Sequence, residues 1–434
     1  MVPVPPPAKE RHDPYAPLRV KNFRWFMSSV LTMAMGAQIQ GVVVAWQMYA
    51  ITHDPLSLGM VGLAEAAPFI GLALFAGHIA DVVNRRRVAL IALTVLLLCA
   101  AVLAFVSRSE LTGADAGLVK WGIYAVIVVC GVARSFLLPA RNALSAEVIP
   151  RPLFARAVAW RTGIWQIAAV VGPALGGLFY GLFGARNSYL IAAALMGMAV
   201  FSMLRIDVAI RAAATTPATL MASLREGLGF IFQRRLFLGA MTLDLLAVLF
   251  GGAVAILPIF AEQILHVGPE GLGMLRAAPA VGAVVMSAWL ALRPPPRPAG
   301  PWFLGSVALF GLCMIAFALS RSFWLSLALL AAGGAADMIS IYVRQTLMQV
   351  MVPTNMLGRV ASVNQIFIGS SNEIGAFESG LAARLLGTVP SVVFGGLATL
   401  SVAAMTAWRV PELRHLDKIE EPDDTVRDRT SGPS

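Results

Sequence analysis

The chain has 434 residues, of which 58% are hydrophobic and only 13% are charged. Soluble domains carry about 25% charged residues, so this composition excludes an ordinary soluble protein. The 33 Lys and Arg outnumber the 23 Asp and Glu and give a net charge of +10. Because the basic residues form short clusters between apolar runs, they indicate a multi-pass membrane protein and exclude a nucleic-acid-binding groove.

Twelve apolar runs follow one another along the chain, and each is about as long as the roughly 20 residues that a membrane-spanning helix needs. They form two sets of six, and we predict a transmembrane helix in each. The predicted spans are 23–50, 57–80, 87–107, 119–144, 160–183, 187–205, 236–262, 271–292, 302–320, 323–349, 361–386 and 389–408. The expected fold is an all-α membrane protein of twelve helices in two pseudo-symmetric bundles.

The polar segments between and around these spans divide the chain into five parts. Within the central interval, the pattern from Leu220 to Phe232 predicts an amphipathic helix that lies on the membrane surface. The expected parts are a disordered cytoplasmic tail at 1–20, an N-terminal six-helix bundle at 21–205, a cytoplasmic linker at 206–235, a C-terminal six-helix bundle at 236–408, and a second disordered cytoplasmic tail at 409–434.

The distribution of basic residues predicts the orientation. If both termini are cytoplasmic, 26 Lys and Arg fall on the cytoplasmic side and six on the outside, while Arg134 falls within a span. The six at the outer ends are Arg108, Lys120, Arg186, Arg276, Arg321 and Arg384. This bias satisfies the positive-inside rule. We therefore expect a plasma or inner membrane protein with both termini in the cytoplasm.

The second half of the chain repeats the first. Residues 334–380 align on residues 131–177 at a constant offset of 203, so that Arg344 falls on Arg141 and Gly380 on Gly177. Earlier in each half, Leu58-Gly59-Met60 recurs as Leu272-Gly273-Met274, and Ala67-Pro68 recurs as Ala278-Pro279. Two parallel six-helix repeats with a binding region at their interface are typical of secondary transporters.

The loop after the second predicted span reads GHIADVVNRRRV from Gly77. It resembles the signature of the major facilitator superfamily at this loop, although Asn84 stands where the family usually has Gly. The resemblance implies a gate: Gly77 lets two helices approach closely, and Asp81 pairs with Arg85 or Arg86. The alternative is that the basic cluster only orients the chain in the membrane.

A second resemblance lies in the fifth predicted span, which contains Gly172-Pro173 followed by Gly176-Gly177. This pattern resembles the Gly-Pro signature of the antiporter branches of the superfamily, in which the glycines allow close packing and the proline bends the helix. The repeat has Ala376 instead of the proline. The alternative is the ordinary enrichment of Gly and Pro in membrane helices. Residues 131–150 and 344–380 further resemble the subgroup that contains bacterial siderophore exporters.

Charged residues inside predicted spans are candidates for the substrate and proton pathway, because intramembrane charges are costly and usually functional. Arg134 and Asp337 occupy equivalent positions, and the family resemblance implies that they face each other across the cavity. They form either a functional pair or a structural one. Further candidates for this pathway are Glu65, Asp244, Glu373, Glu378, Gln38 and Asn372. Candidates for a gate near the cytoplasmic ends are Arg141, Arg344 and Arg359.

These features predict a secondary active transporter, a proton-coupled exporter of a siderophore or drug-like molecule that alternates access as a monomer in the bilayer. The alternatives are proton-coupled uptake of a nutrient or lipid-like solute, and a transporter-like receptor or sensor. An enzyme is not expected, because none of the four Lys follows a Gly and no H-E-x-x-H or G-x-S-x-G sequence occurs. No cofactor or metal is expected.

Overall fold

A computed structural model describes residues 13–108, 116–207, 220–293, 297–353 and 356–417. Within these ranges the regular structure is entirely helical. The helices are α1 Lys21–Thr52, α2 Pro55–Val82, α3 Arg85–Val106, α4 Ala116–Glu147, α5 Phe154–Leu204, α6 Leu220–Gln233, α7 Arg235–Gly251, α8 Leu257–Ile259, α9 Gly268–Leu292, α10 Ala299–Leu319, α11 Phe323–Met351, α12 Leu357–Leu386, α13 Thr388–Arg409 and α14 Pro411–Arg414.

Ten helical stretches of the described residues are long and apolar enough to cross a membrane, so the predicted count of twelve is not confirmed. One of the ten, Arg151–Leu204, has 54 residues. At 1.5 Å per residue it would extend for about 80 Å, against a bilayer core of about 30 Å. It bends at Gly184, whose φ of 74° is left-handed. The 30-residue helix α12 is not among the ten.

The predicted span 236–262 is not one continuous helix. α7 ends at Gly251, and Gly252 has an extended backbone. The chain then passes through a 3₁₀ turn at Val254–Ile256, the short α8, and a π-helical turn at Phe260–Ile264. Two adjacent glycines explain the break, because glycine loses the most conformational freedom in a helix.

Equivalent helices pack alike in the two halves. α2 packs on α4 where Gly131 leaves no room for a side chain beside Glu65 and Pro68. α9 packs on α11 where Gly334 leaves none beside Pro279. Since the repeat places Gly131 on Gly334 and Pro68 on Pro279, the two bundles share the same internal geometry at this crossing.

The amphipathic helix predicted in the linker is α6. Ile231 is 3% exposed in a cluster with Phe237, Met348 and Val360 of the C-terminal bundle, while the neighbouring Phe232 is 63% exposed. α6 therefore packs one face on the C-terminal bundle.

The two ends of the bundles differ in how closely the bundles approach. We call the side that holds residues 13–20 and 410–417 the terminal side. On the opposite side, a Cβ on Gly59 of α2 would lie 3.1 Å from the Cα of Gly380 of α12. A Cβ on Gly177 of α5 would lie 2.9 Å from the Cα of Gly273 of α9. These two crossings are related by the repeat, which places Gly59 on Gly273 and Gly177 on Gly380.

Toward the terminal side, α2 and α5 each have a glycine with no neighbouring atom where a side chain would stand. A Cβ on Gly71 or on Gly163 would meet no atom within 4 Å. The bundles are thus in backbone contact on the opposite side, whereas α2 and α5 each have an open glycine position toward the terminal side.

Candidate functional site

Two charges of the N-terminal bundle lie at the seam between the bundles. Glu65 stands on α2, ten residues and about 15 Å after the helix begins at Pro55. It forms an ion pair with Arg134 of α4. The side chains are 21% and 49% exposed, respectively. Arg134 therefore has its partner within its own bundle and not in Asp337, which corrects the predicted pairing; the contact of α2 with α4 at Gly131 brings the two side chains together.

Two charges of the C-terminal bundle meet this pair. A carboxylate oxygen of Glu373 on α12 would lie 3.8 Å from a Cβ on Gly62, one turn before Glu65 on α2. The charges of Arg134 and Arg276 both act on Glu373. We call Glu65, Arg134, Arg276 and Glu373 the four-charge cluster. Its charges balance, and each bundle contributes one acid and one arginine.

The charge pattern of the sequence assigned Arg276 to the outer end of a span, whereas in the structure its side chain is partly buried at the seam between the bundles. Its Nη1 would lie 3.8 Å from a Cβ on Gly41 of α1, so it reaches across to the N-terminal bundle. The repeat contains the signal that could have identified it. The offset of 211 that aligns Pro68 with Pro279 also aligns Glu65 with Arg276.

The repeat thus carries a charge-reversed pair. Glu65 and Arg134 of the N-terminal bundle correspond to Arg276 and Asp337 of the C-terminal bundle. The first pair is formed. The second pair, Arg276 with Asp337, is not formed, because Arg276 interacts with the charge of Glu373 instead. Asp337 is partly buried and has no ion-pair or hydrogen-bond partner among the described residues.

A second ion pair lies inside the C-terminal bundle. Arg344 of α11 contacts Asp244 of α7, and both side chains are 7% exposed. The Nε of Arg344 has no hydrogen-bond partner among the described residues. Arg344 was predicted to serve a gate and Asp244 the proton pathway. Their pairing joins α7 to α11 in this structure.

Other predicted pathway residues lie apart from the four-charge cluster. Glu378 borders a small cavity with Gly252 at the break after α7. Asn372 is exposed and donates a hydrogen bond to its own helix at the carbonyl of Ile368, 2.9 Å away. Gln38 packs on α5, where a Cβ on Gly172 would lie 2.5 Å from the Gln38 Cβ.

The glycines of the Gly-Pro sequence bring α5 against two neighbours. Gly172 and Gly176 face α1, where a Cβ on Gly176 would lie 3.1 Å from the Cα of Ile39. Gly177 and the carbonyl of Pro173 face Gly273 of α9, in the other bundle. These are the close contacts that the Gly-Pro sequence is predicted to permit.

Near the signature loop, Arg85 forms an ion pair with Glu147 at the end of α4. Arg86 donates hydrogen bonds to the carbonyls at the end of α5, the shorter being 2.6 Å to Leu204. Gly77 lies within α2. The side chains of Asp81 and Arg359 lie outside the described residues, so the predicted gating contacts of both remain predictions.

Arg141, also predicted to serve a gate, has a different environment from its repeat equivalent Arg344. Its guanidinium lies over the ring of Trp165 on α5, 5.7 Å from the ring centre. Its Nε is buried and has no hydrogen-bond partner among the described residues. Arg141 therefore holds a charge that no described carboxylate contacts.

Comparisons with known proteins identify the family and the fold. A family model described as transmembrane secretion effector matches residues 12–431. The multidrug efflux pump Tap of Mycolicibacterium fortuitum is 24% identical over 91% of this chain and 97% of its own. The enterobactin exporter EntS of Escherichia coli O9:H4 (strain HS) is 24% identical over 86% of this chain and 88% of its own. A POT family transporter crystallised with a thioalcohol-conjugated peptide superposes with a TM-score of 0.73 at 11% identity, over 90% of this chain and 96% of its own; this likeness shows the fold.

Proposed function

Because the chain belongs to the transmembrane secretion effector family of the major facilitator superfamily, we propose that it exports a small organic molecule in exchange for protons. It alternates access between its two bundles, as a monomer in the plasma or inner membrane with both termini in the cytoplasm. The relatives Tap, a multidrug efflux pump, and EntS, an enterobactin exporter, support the export direction. The cargo is a siderophore or a drug-like compound.

The observation that carries the proposal is the four-charge cluster at the seam. Glu373 belongs to the C-terminal bundle, and Arg134 of the N-terminal bundle acts on it. Any movement that separates α12 from α2 and α4 pulls these opposite charges apart. Since isolated charges in a membrane interior are costly, such a movement requires each separated charge to gain another partner or a proton.

Asp337 supplies the other partner. The crossing of α9 with α11 matches that of α2 with α4, where Glu65 and Arg134 are paired. By the repeat, Arg276 and Asp337 occupy the positions of Glu65 and Arg134, so Asp337 is the partner that we expect for Arg276 when it leaves Glu373. In the state described here the charge of Arg276 acts on Glu373. When the bundles rock apart on the opposite side, Arg276 moves from Glu373 to Asp337, and Glu373 takes up a proton from the side that opens. When the bundles close again, Arg276 returns to Glu373, whose proton leaves toward the terminal side, so one proton crosses the membrane in each cycle.

Transport by the purified full-length protein in proteoliposomes tests this scheme. With a pH gradient imposed, a panel of siderophores and drug-like compounds is offered, and the protein should accumulate at least one of them against its concentration gradient. Collapse of the gradient with an ionophore should stop accumulation. Driven movement of compounds only in the uptake direction would contradict export.

Two variants test the coupling. Asp337→Asn and Glu373→Gln should each abolish gradient-driven accumulation and leave exchange of labelled for unlabelled cargo intact, because exchange needs no net proton transfer. Glu412→Gln, an exposed carboxylate near the C-terminus, is the matched control. If both variants retain gradient-driven accumulation, the coupling residues lie elsewhere.

A further inference from the structure

Arg141 is an arginine within the N-terminal bundle that no described carboxylate neutralises. It stands on α4, six residues before that helix ends at Glu147, and it lies deep in the N-terminal bundle. An arginine side chain does not lose its proton in proteins. Yet no described carboxylate contacts Arg141, and its described partner is the ring of Trp165. A charge of this kind inside a membrane protein normally has a counter-charge.

The repeat shows that the missing counter-charge is specific to this bundle. The equivalent Arg344 is neutralised by Asp244 of α7. α1 is the equivalent of α7, and the sequence of α1 from Lys21 to Thr52 contains no Asp or Glu. Equivalent positions therefore hold a buried ion pair in the C-terminal bundle and, in the N-terminal bundle, an arginine that no described carboxylate contacts.

Further positive charge surrounds Arg141. The charges of Arg161 on α5 and Arg134 on α4 both act on it. The Nη1 of Arg161 donates a hydrogen bond to the Oγ of Ser145, 3.0 Å away, which holds Arg161 beside α4. Of these three guanidiniums, Arg134 has a carboxylate partner in Glu65. The remaining two repel each other and attract any anion that can reach them.

An anion can reach them from the terminal side. Trp165 is 44% exposed, and Gly163, on the same helix, faces open space. α4 and α5 each pack against α1, and Arg141, Arg161 and Trp165 lie between them. The planar fork of arginine fits oxyanions, and the exposed indole adds an apolar face for the carbon skeleton beside such a group.

We propose that Arg141, Arg161 and Trp165 form the binding site for the anionic group of the cargo, which makes the cargo an organic anion bearing a carboxylate or a similar oxyanion. This inference rests on the proposed export function and adds the chemical class of the molecule. The site takes the cargo from the terminal side, and the four-charge cluster lies farther along the path toward the opposite side.

Binding to the full-length protein in nanodiscs tests the proposal. The probes are matched pairs that differ in charge, benzoate with benzamide and salicylate with salicylamide, together with phenyl phosphate as a second oxyanion. Thermal unfolding should shift upward with the anions and not with the amides. Arg141→Gln and Arg161→Gln should each weaken anion binding by about tenfold or more, about 1.4 kcal/mol. Arg141→Lys should retain part of the binding, and Arg186→Gln, an exposed arginine on the opposite side, should retain all of it.

The ligand-free protein gives an independent measurement. Arg141→Gln removes a charge without a partner, so its midpoint of unfolding should equal or exceed that of the wild type. Arg344→Gln leaves Asp244 without its partner, so its midpoint should fall. A structural role for Arg141 would instead lower both midpoints alike. That result, or equal stabilisation by anions and amides, would overturn the proposal.

The two proposals fail separately. If a neutral or cationic compound is exported on a proton gradient while no anion binds, the anion site is wrong and export stands. If anions bind through Arg141 but no compound moves on the gradient, export is wrong and the anion site stands.

Discussion

Replacing Arg344 by Gln removes one partner of the ion pair that Arg344 and Asp244 form in the interior of the C-terminal bundle. Asp244 would keep its negative charge in a site where it is 7% exposed. α11 has no other basic residue, and the one basic residue of α7, Arg235, is exposed and stands nine residues before Asp244. Removing one partner of a buried pair costs about 3–5 kcal/mol. The Nε of Arg344 lacks a hydrogen-bond partner among the described residues, so the pair is not fully satisfied and we expect the lower end, about 3 kcal/mol.

A double-mutant cycle measures this value. Arg344→Gln, Asp244→Asn and the double variant are compared by equilibrium unfolding of the protein in mixed detergent micelles. Each single variant should lose about 3 kcal/mol. The double variant should lose much less than the sum, since it leaves no orphaned charge. Single variants within about 0.5 kcal/mol of the wild type, or strictly additive losses, would refute the argument that the pair is buried and closed.

Three further predictions follow from the fold and the sequence. Gly380→Leu should hold the bundles apart on the opposite side, at an overpacking cost of about 1–3 kcal/mol, because its Cβ would lie 2.8 Å from the carbonyl oxygen of Pro55. Transport should fall, whereas Gly71→Leu, where the space is open, should transport normally; equal transport by the two would contradict the close contact. Asp81→Asn should weaken the predicted gate between Asp81 and the basic residues 85–87 by up to about 1 kcal/mol, and it should shift the distances between spin labels at the terminal-side ends of α2 and α12. Unchanged distances with normal transport would mean that these basic residues only orient the chain in the membrane. A Cys introduced at Ser223 should resist an impermeant thiol reagent in intact cells, and ready labelling would overturn the cytoplasmic linker.

The helices and the repeat could be predicted from the sequence because both depend on local pattern. Apolar runs of about 20 residues are set by the thickness of the bilayer. The predicted span 389–408 differs from α13 Thr388–Arg409 by one residue at each end. The break after Gly251 was missed because hydropathy does not register backbone freedom: glycines at 251 and 252 leave the run apolar.

The same pattern identified the charged residues but not their partners. Glu65, Arg134, Asp244 and Arg344 were each recognised as intramembrane charges. Arg276 was missed as a site residue because its place near the start of a predicted span suggested an outer end.

Only the tertiary structure decided which charges meet. Arg134 pairs with Glu65, 69 residues away, and Arg344 pairs with Asp244 on α7. Partners of this kind depend on which helices are neighbours and on the depth at which they cross. The repeat determines which residues are equivalent, but equivalent residues need not have equivalent partners. Arg141 and Arg344 share a register, and only Arg344 has a carboxylate beside it, because α7 carries Asp244 and α1 carries no acid.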